Sequence, residues 1–137
     1  MTRRDFQALS AIRLREARAL LKTGNPEGAY YLAGYAVECA LKACVAKKTL
    51  RHEFPDLERA KASYSHKFAA LVMVAGLHEE LSKQIQADRE FLANWSVVLE
   101  WSEVSRYDLD MGRYAAVLVR AISDRSHGVL RWIRQHW

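Results

Sequence analysis

The sequence is poor in the residues that punctuate a chain, with two prolines and six glycines among 137 residues. An all-β fold needs a turn about every ten residues, and so few turn-formers exclude it. No run of about eighteen uncharged apolar residues occurs, so no membrane-spanning helix is expected. The opening Met1-Thr2-Arg3-Arg4-Asp5 leads into a mixed polar pattern and not into the apolar stretch of a signal peptide. Cysteine is scarce. Cys39 and Cys44 lie in one apolar helical segment, point in different directions and are poorly placed to bridge. No zinc-ligand spacing is present, and a reducing cytoplasm is the expected compartment. Glycine-rich phosphate loops, a Ser-His-Asp order and paired catalytic carboxylates are also lacking. Gly28 and Gly34 fall inside a helical pattern with no strand ahead of them. Neither a metal nor a cofactor is expected.

Hydrophobic residues make up 50% of the chain and charged residues 27%, which suits one packed domain over residues 1–137. The net charge of +5 is unevenly spread. Residues 1–24 hold six basic and two acidic groups, and residues 64–105 hold three basic and six acidic ones. Residues 106–137 hold six arginines against three aspartates. If the two basic ends pack side by side they form a face for polyanions, that is RNA, nucleotides or an acidic partner. Otherwise they are ordinary solvated helix surfaces.

Apolar residues recur at three- and four-residue steps over 3–22, and Gly24 suits the left-handed position past a helix end. Asn25, Pro26 and Glu27 form a start signal for a helix to about Lys48. From Gly28 to Ala46 only Glu38 and Lys42 are charged, so this helix is expected to be central and buried. Residues 49–65, with Pro55, read as a connection. A short helix is expected over 66–75, with Ser63 or Ser65 as cap and Gly76 as stop. A long helix is expected over 78–103, with Leu81, Ile85, Asp88, Leu92, Trp95, Val98 (with Leu99) and Trp101 on its inner face. Residues 105–108 read as a loop, and a last helix is expected over 110–135 with Gly128 inside it at a close helix contact. The expected fold is an all-α, up-and-down bundle of four long helices and one short one.

The segment from Gly28 to Ala43, with Ala36, Glu38, Leu41 and Lys42 in place, resembles the signature helix of HEPN domains, although Cys39 stands where that family usually has lysine. The run Leu20-Leu21-Lys22-Thr23-Gly24-Asn25 is similar to the family's first-helix ending, and Ser65-His66-Lys67 to its short histidine motif. Ser105-Arg106-Tyr107-Asp108 resembles the loop before its last helix, with Asp108 replacing proline. The resemblance spans nearly the whole chain. It implies a helical bundle that forms a homodimer and belongs to a toxin–antitoxin or phage-defence module, often beside a nucleotidyltransferase. Some members are metal-independent RNases, and others bind nucleotide or RNA without cleaving it.

In the RNases of that family about four to six residues separate an arginine from a following histidine. The arginine stabilises phosphate charge and the histidine moves a proton. Arg106 stands at the expected place, but Met111, Gly112 and Arg113 occupy the positions where the histidine belongs. The resemblance thus implies a non-catalytic binder with Arg106, Tyr107, Arg113 and Arg120 on nucleotide or RNA. Arg59–His66, Arg120–His127 and Arg131–His136 have a similar spacing, a number of matches that chance also produces with fourteen arginines and five histidines. Arg120–His127, two helical turns apart on one face, has the best geometry of the three and is the alternative catalytic pair. Arg113, Arg120, His127 and Arg134 then form a heptad stripe, either a phosphate track or a solvated face. Docking of a nucleotidyltransferase partner is a third reading. Glu38 and Lys42 read as a structural buried pair, engaging Arg106 or Tyr107, or as the mark of a functional cavity. Trp95, Trp101 and Trp132 read as core or dimer interface.

Overall fold

The computed structural model describes residues 1–49 and 57–137, and every regular element among them is helical. Helix α1 covers Arg3–Lys22 and α2 covers Pro26–Lys48. They are followed by α3 (Leu57–Ser63), α4 (Phe68–Val74), α5 (His78–Ala87), α6 (Arg89–Leu99), α7 (Ala115–Ser123) and α8 (Val129–Arg134). Two 3-10 turns, Glu103–Tyr107 and Met111–Tyr114, link α6 to α7. Among the described residues no helix is long and apolar enough to cross a membrane.

The first two helices begin and end where local chemistry places them. Thr2 and Asp5 form a reciprocal cap, the Asp5 N–H donating to Thr2 Oγ1 at 3.2 Å and the Thr2 N–H donating to Asp5 Oδ2 at 2.7 Å. Gly24, at φ +77°, ends α1 in the left-handed region. Asn25 stands at the N-cap of α2, but its side chain turns back to donate to the Thr23 carbonyl at 3.1 Å, leaving Pro26 to open the helix.

Helix α2 is the axis of the molecule. It packs on α1, α4, α7, α8 and both 3-10 turns. Small residues permit this crowding, with Ala29, Ala33, Ala36 and Ala40 fully buried. At Gly34 the approach is closest, since a Cβ there would lie 2.0 Å from the Trp101 ring. The one buried hydroxyl between α1 and α2 is satisfied, Ser10 Oγ donating to the Ala36 carbonyl at 2.7 Å. At the other end of the core, Phe91, Trp95 and Trp132 form an aromatic cluster, with Phe91 5.6 Å and Trp95 6.4 Å from Trp132 between ring centroids. Trp95, Trp101 and Trp132 are thus core residues.

Four expectations need correction. The connection over 49–65 contains helix α3, and Pro55 lies outside the described residues. No serine side chain caps α4. Its N-cap is Lys67, whose N–H donates to Ser65 Oγ at 3.0 Å. The helix expected over 78–103 is two helices, because Asp88 takes an extended backbone (φ −140°, ψ 102°) and its Oδ1 accepts the Phe91 N–H at 3.0 Å as a fresh N-cap. The helix expected over 110–135 is a 3-10 turn followed by α7 and α8. Asp124 ends α7, and its Oδ1 accepts the N–H groups of Ser126 at 2.9 Å and His127 at 2.6 Å. Gly128 is therefore not inside a helix but is the N-cap of α8. A Cβ at that glycine would lie 2.3 Å from the Asp124 carbonyl oxygen, so the tight turn requires glycine there and no helix–helix contact is involved. The fold is all-helical, with two long helices and several short ones in place of four long ones.

Candidate functional site

Tyr31, Tyr35, Glu38 and Lys42 step along α2 at intervals of four, three and four residues, which keeps them on one face. Three separate segments come to that face. His66 arrives from the stretch between α3 and α4, Trp101 from the end of α6, and Arg106 from the first 3-10 turn.

Glu38 anchors the cluster and is 4% exposed. A carboxylate at that depth needs partners, and it has two. Lys42 Nζ lies 2.8 Å from Glu38 Oε1, and His66 Nδ1 lies 3.0 Å from Oε2 and 3.1 Å from Oε1. With Nδ1 against a carboxylate, the geometry makes Nδ1 the donor to Glu38. The partner that completes the Glu38–Lys42 pair is therefore His66 and neither Arg106 nor Tyr107.

The aromatic part of the face is continuous with this pair. Tyr35 meets His66 edge-on at 6.4 Å, Trp101 at 5.3 Å and Tyr31 at 5.0 Å between centroids. The Tyr31 and Tyr35 hydroxyl oxygens are 3.3 Å apart. The Tyr35 hydroxyl, with Arg106 behind it, holds the Tyr31 phenol below its ordinary range. Burial pushes the Tyr35 phenol up. Trp101 stacks on Phe68 at 5.2 Å, and its indole N–H, pressed toward Gly34, has no hydrogen-bond partner among the described residues. The hydroxyl of Ser105, next to Arg106, is likewise buried without one.

Arg106 is exposed, and its guanidinium sits 4.9 Å from the centre of the Tyr107 ring. The Tyr31 phenol beside it, and then Tyr107, raise its pKa above its already high ordinary value. Among the described residues no carboxylate pairs with it. It is a permanent cation with free donors, set among aromatic faces.

The other sequence candidates, Tyr107 excepted, lie apart from this cluster. Tyr107 is 77% exposed under Arg106. Arg113 Nη2 lies 3.5 Å from Asp110 Oδ1 in the second 3-10 turn. Arg120 is exposed on α7, and among the described residues no hydrogen bond or ion pair joins it to His127. His127 lies in the turn after α7, so the two do not share a helical face, and the stripe through Arg113, Arg120, His127 and Arg134 is divided among the second 3-10 turn, α7, the turn after it and α8. Both His127 ring nitrogens are engaged, Nδ1 at 2.7 Å from Asp88 Oδ2 and Nε2 at 3.2 Å from Glu90 Oε2. Arg59 lies on α3, while Arg131 on α8 precedes His136, whose ring meets Trp132 at 5.1 Å. No group of three or more His, Cys, Asp and Glu among the described residues is arranged to hold a metal ion.

Tyr31 and Tyr35 are members of the cluster that arginine–histidine spacing does not single out, and His66, which that spacing matches with Arg59, meets Glu38. Their signal was the i, i+4, i+7, i+11 pattern on α2 and the single histidine of the Ser-His-Lys run.

The fold is that of an all-helical bundle, and the chain matches no family model, no curated protein and no solved structure.

Proposed function

We propose that the chain is a HEPN-like domain that binds nucleotide or RNA through Arg106 and the tyrosines around it, as a homodimer within a toxin–antitoxin or phage-defence module. One observation carries the reading. Arg106 is an exposed guanidinium with no carboxylate partner among the described residues, beside Tyr31 and over Tyr107. A guanidinium offers forked donors to a phosphate, and flanking tyrosine rings offer faces on which unpaired bases stack. The buried Glu38 and its partners Lys42 and His66 hold the α2 face behind it, and so fix where Tyr31 and Tyr35 stand.

The test is binding of a fluorescent single-stranded RNA over a salt series, with the oligomeric state measured by sedimentation. Arg106→Ala is expected to weaken binding about tenfold and to flatten the slope of log K against log salt by about 0.7, the share of one phosphate contact. Tyr31→Leu is expected to weaken binding at all salt concentrations alike. RNA binding with no salt dependence, or none at all, would remove this reading in favour of a docking module for a nucleotidyltransferase. Cleavage in EDTA that is lost in both Arg120→Ala and His127→Ala would replace it with a metal-independent RNase.

A further inference from the structure

A second site lies away from the Arg106 face, where α1, α7 and α8 meet. It is a cleft of about 480 Å³, within the range of roughly 300–1,000 Å³ typical of small-molecule sites. Four arginines line it. Arg18 comes from α1, Arg125 from the turn after α7, and Arg131 and Arg134 from α8. The two basic ends of the chain thus do pack together, and they enclose a cleft.

None of these four guanidiniums forms an ion pair among the described residues. Arg134 lies 5.6 Å from the Trp137 ring, which leaves its charge uncompensated. The single carboxylate in the lining is Asp124, and one of its oxygens is committed to the backbone N–H groups of Ser126 and His127. Like charges gathered around one cavity repel each other, and the protein bears that cost until an anion enters. Behind the charges the cleft is backed by the buried core residues Leu14, Ile122 and Leu130.

We propose that this cleft binds a compact polyphosphate, with its phosphate chain on the four arginines. Charge density favours this ligand over the backbone of an RNA strand. A phosphodiester strand spaces single charges one nucleotide apart, whereas a triphosphate places several on one short chain, which suits four guanidiniums lining one cleft. Arginine suits the task because each fork bonds two phosphate oxygens at once. The cleft shares no lining residue with the Arg106 cluster, so the proposal stands whether or not Arg106 contacts RNA.

The test is calorimetric titration of the full chain with inorganic tripolyphosphate, with sulfate at matched ionic strength as reference. One-to-one binding is expected, at least tenfold tighter than sulfate, together with a rise in melting temperature. The double variant Arg131→Ala/Arg134→Ala is expected to lose at least tenfold in affinity. Arg89→Ala, which removes one exposed charge from α6, is expected to bind as the native chain does. All four arginines are exposed, so the variants are expected to keep the native circular dichroism, and Arg125→Ala serves if the double variant does not. Two further arms identify the source of the phosphates. ATP binding more tightly than tripolyphosphate assigns a free nucleotide. A gain for 5′-triphosphorylated over 5′-hydroxyl RNA, with ATP no better than tripolyphosphate, assigns an RNA end. Tripolyphosphate binding no tighter than sulfate, or binding unchanged in a folded arginine variant, would overturn the proposal.

Discussion

His127 Nδ1 lies 2.7 Å from Asp88 Oδ2, and this contact joins the two places where expected helices break. Asp88 divides α5 from α6, and His127 sits in the turn that divides α7 from α8. Asp88 serves both ends of the contact, capping Phe91 with Oδ1 and meeting His127 with Oδ2. Asn94 adds a bond from the same helix, its Nδ2 donating to the His127 carbonyl at 2.9 Å. The histidine is thereby a clasp between α6 and the turn before α8.

Asp88→Ala and His127→Ala are each expected to lower the melting temperature, Asp88→Ala by more because the α6 cap goes with it. The double variant is expected to lose less than the sum of the two, since they share one interaction. Additive losses in a thermal-melt cycle would show the clasp to be energetically silent.

The clasp is also expected to depend on pH. Asp88 holds the His127 pKa above the ordinary histidine value of 6.5, and His127 holds the Asp88 carboxyl below the ordinary aspartate value of 3.8. The histidine contribution is full below about pH 6.5 and is lost as pH rises through the raised folded value. The aspartate contribution is full above about pH 3.8 and is lost as pH falls through the lowered folded value. Burial lowers the pKa of His136, so its protonation works in the opposite sense as pH falls. The difference between native and His127→Gln urea midpoints removes that background. It is expected to be larger at pH 5.5 than at pH 8.5, and an equal difference at both would contradict the assignment.

Glu38→Ala is expected to cost about 3–5 kcal/mol in urea unfolding, because it strands the largely buried ammonium of Lys42. Glu38→Leu combined with Lys42→Met is expected to recover much of that loss, since an apolar pair leaves no unpaired charge. A double variant as unstable as Glu38→Ala would mean that His66 is the partner that matters for stability.

Gly34→Ala is expected to destabilise the fold by about 3 kcal/mol, because the added methyl would overlap the Trp101 ring. Combining it with Trp101→Leu is expected to lose less than the two changes separately. Near-edge fluorescence and urea melts of the four proteins would measure the coupling.

How much could be read in advance differs from element to element. The ends of α1 and α2 were legible because the signals lie within a few residues of the boundary: Gly24 behind one helix, Pro26 and Glu27 at the start of the other. The burial of α2 was legible from its two charges in nineteen residues between Gly28 and Ala46. The break at Asp88 was not. Apolar periodicity continues across it from Ile85 to Leu92, so aspartate passed for one more position on an inner face. Gly128 was misjudged for a related reason, since Asp124 lies four residues earlier and resembles an ordinary helical polar residue until its side chain is seen to cap the turn. The Arg120–His127 pair depended on a continuous helix and separated when that helix divided.

By itself the sequence determined the helical class, the two long helices and the central position of α2, because propensity, caps and hydrophobic period act over single turns of chain. Tertiary structure alone decided where the later helices break, and which residues Glu38, Arg106 and the terminal arginines meet. A short polar side chain bonds equally well to its own backbone or to a distant group, and only the packed chain presents the distant one. His127 stands 39 residues from Asp88, and His66 stands 28 from Glu38.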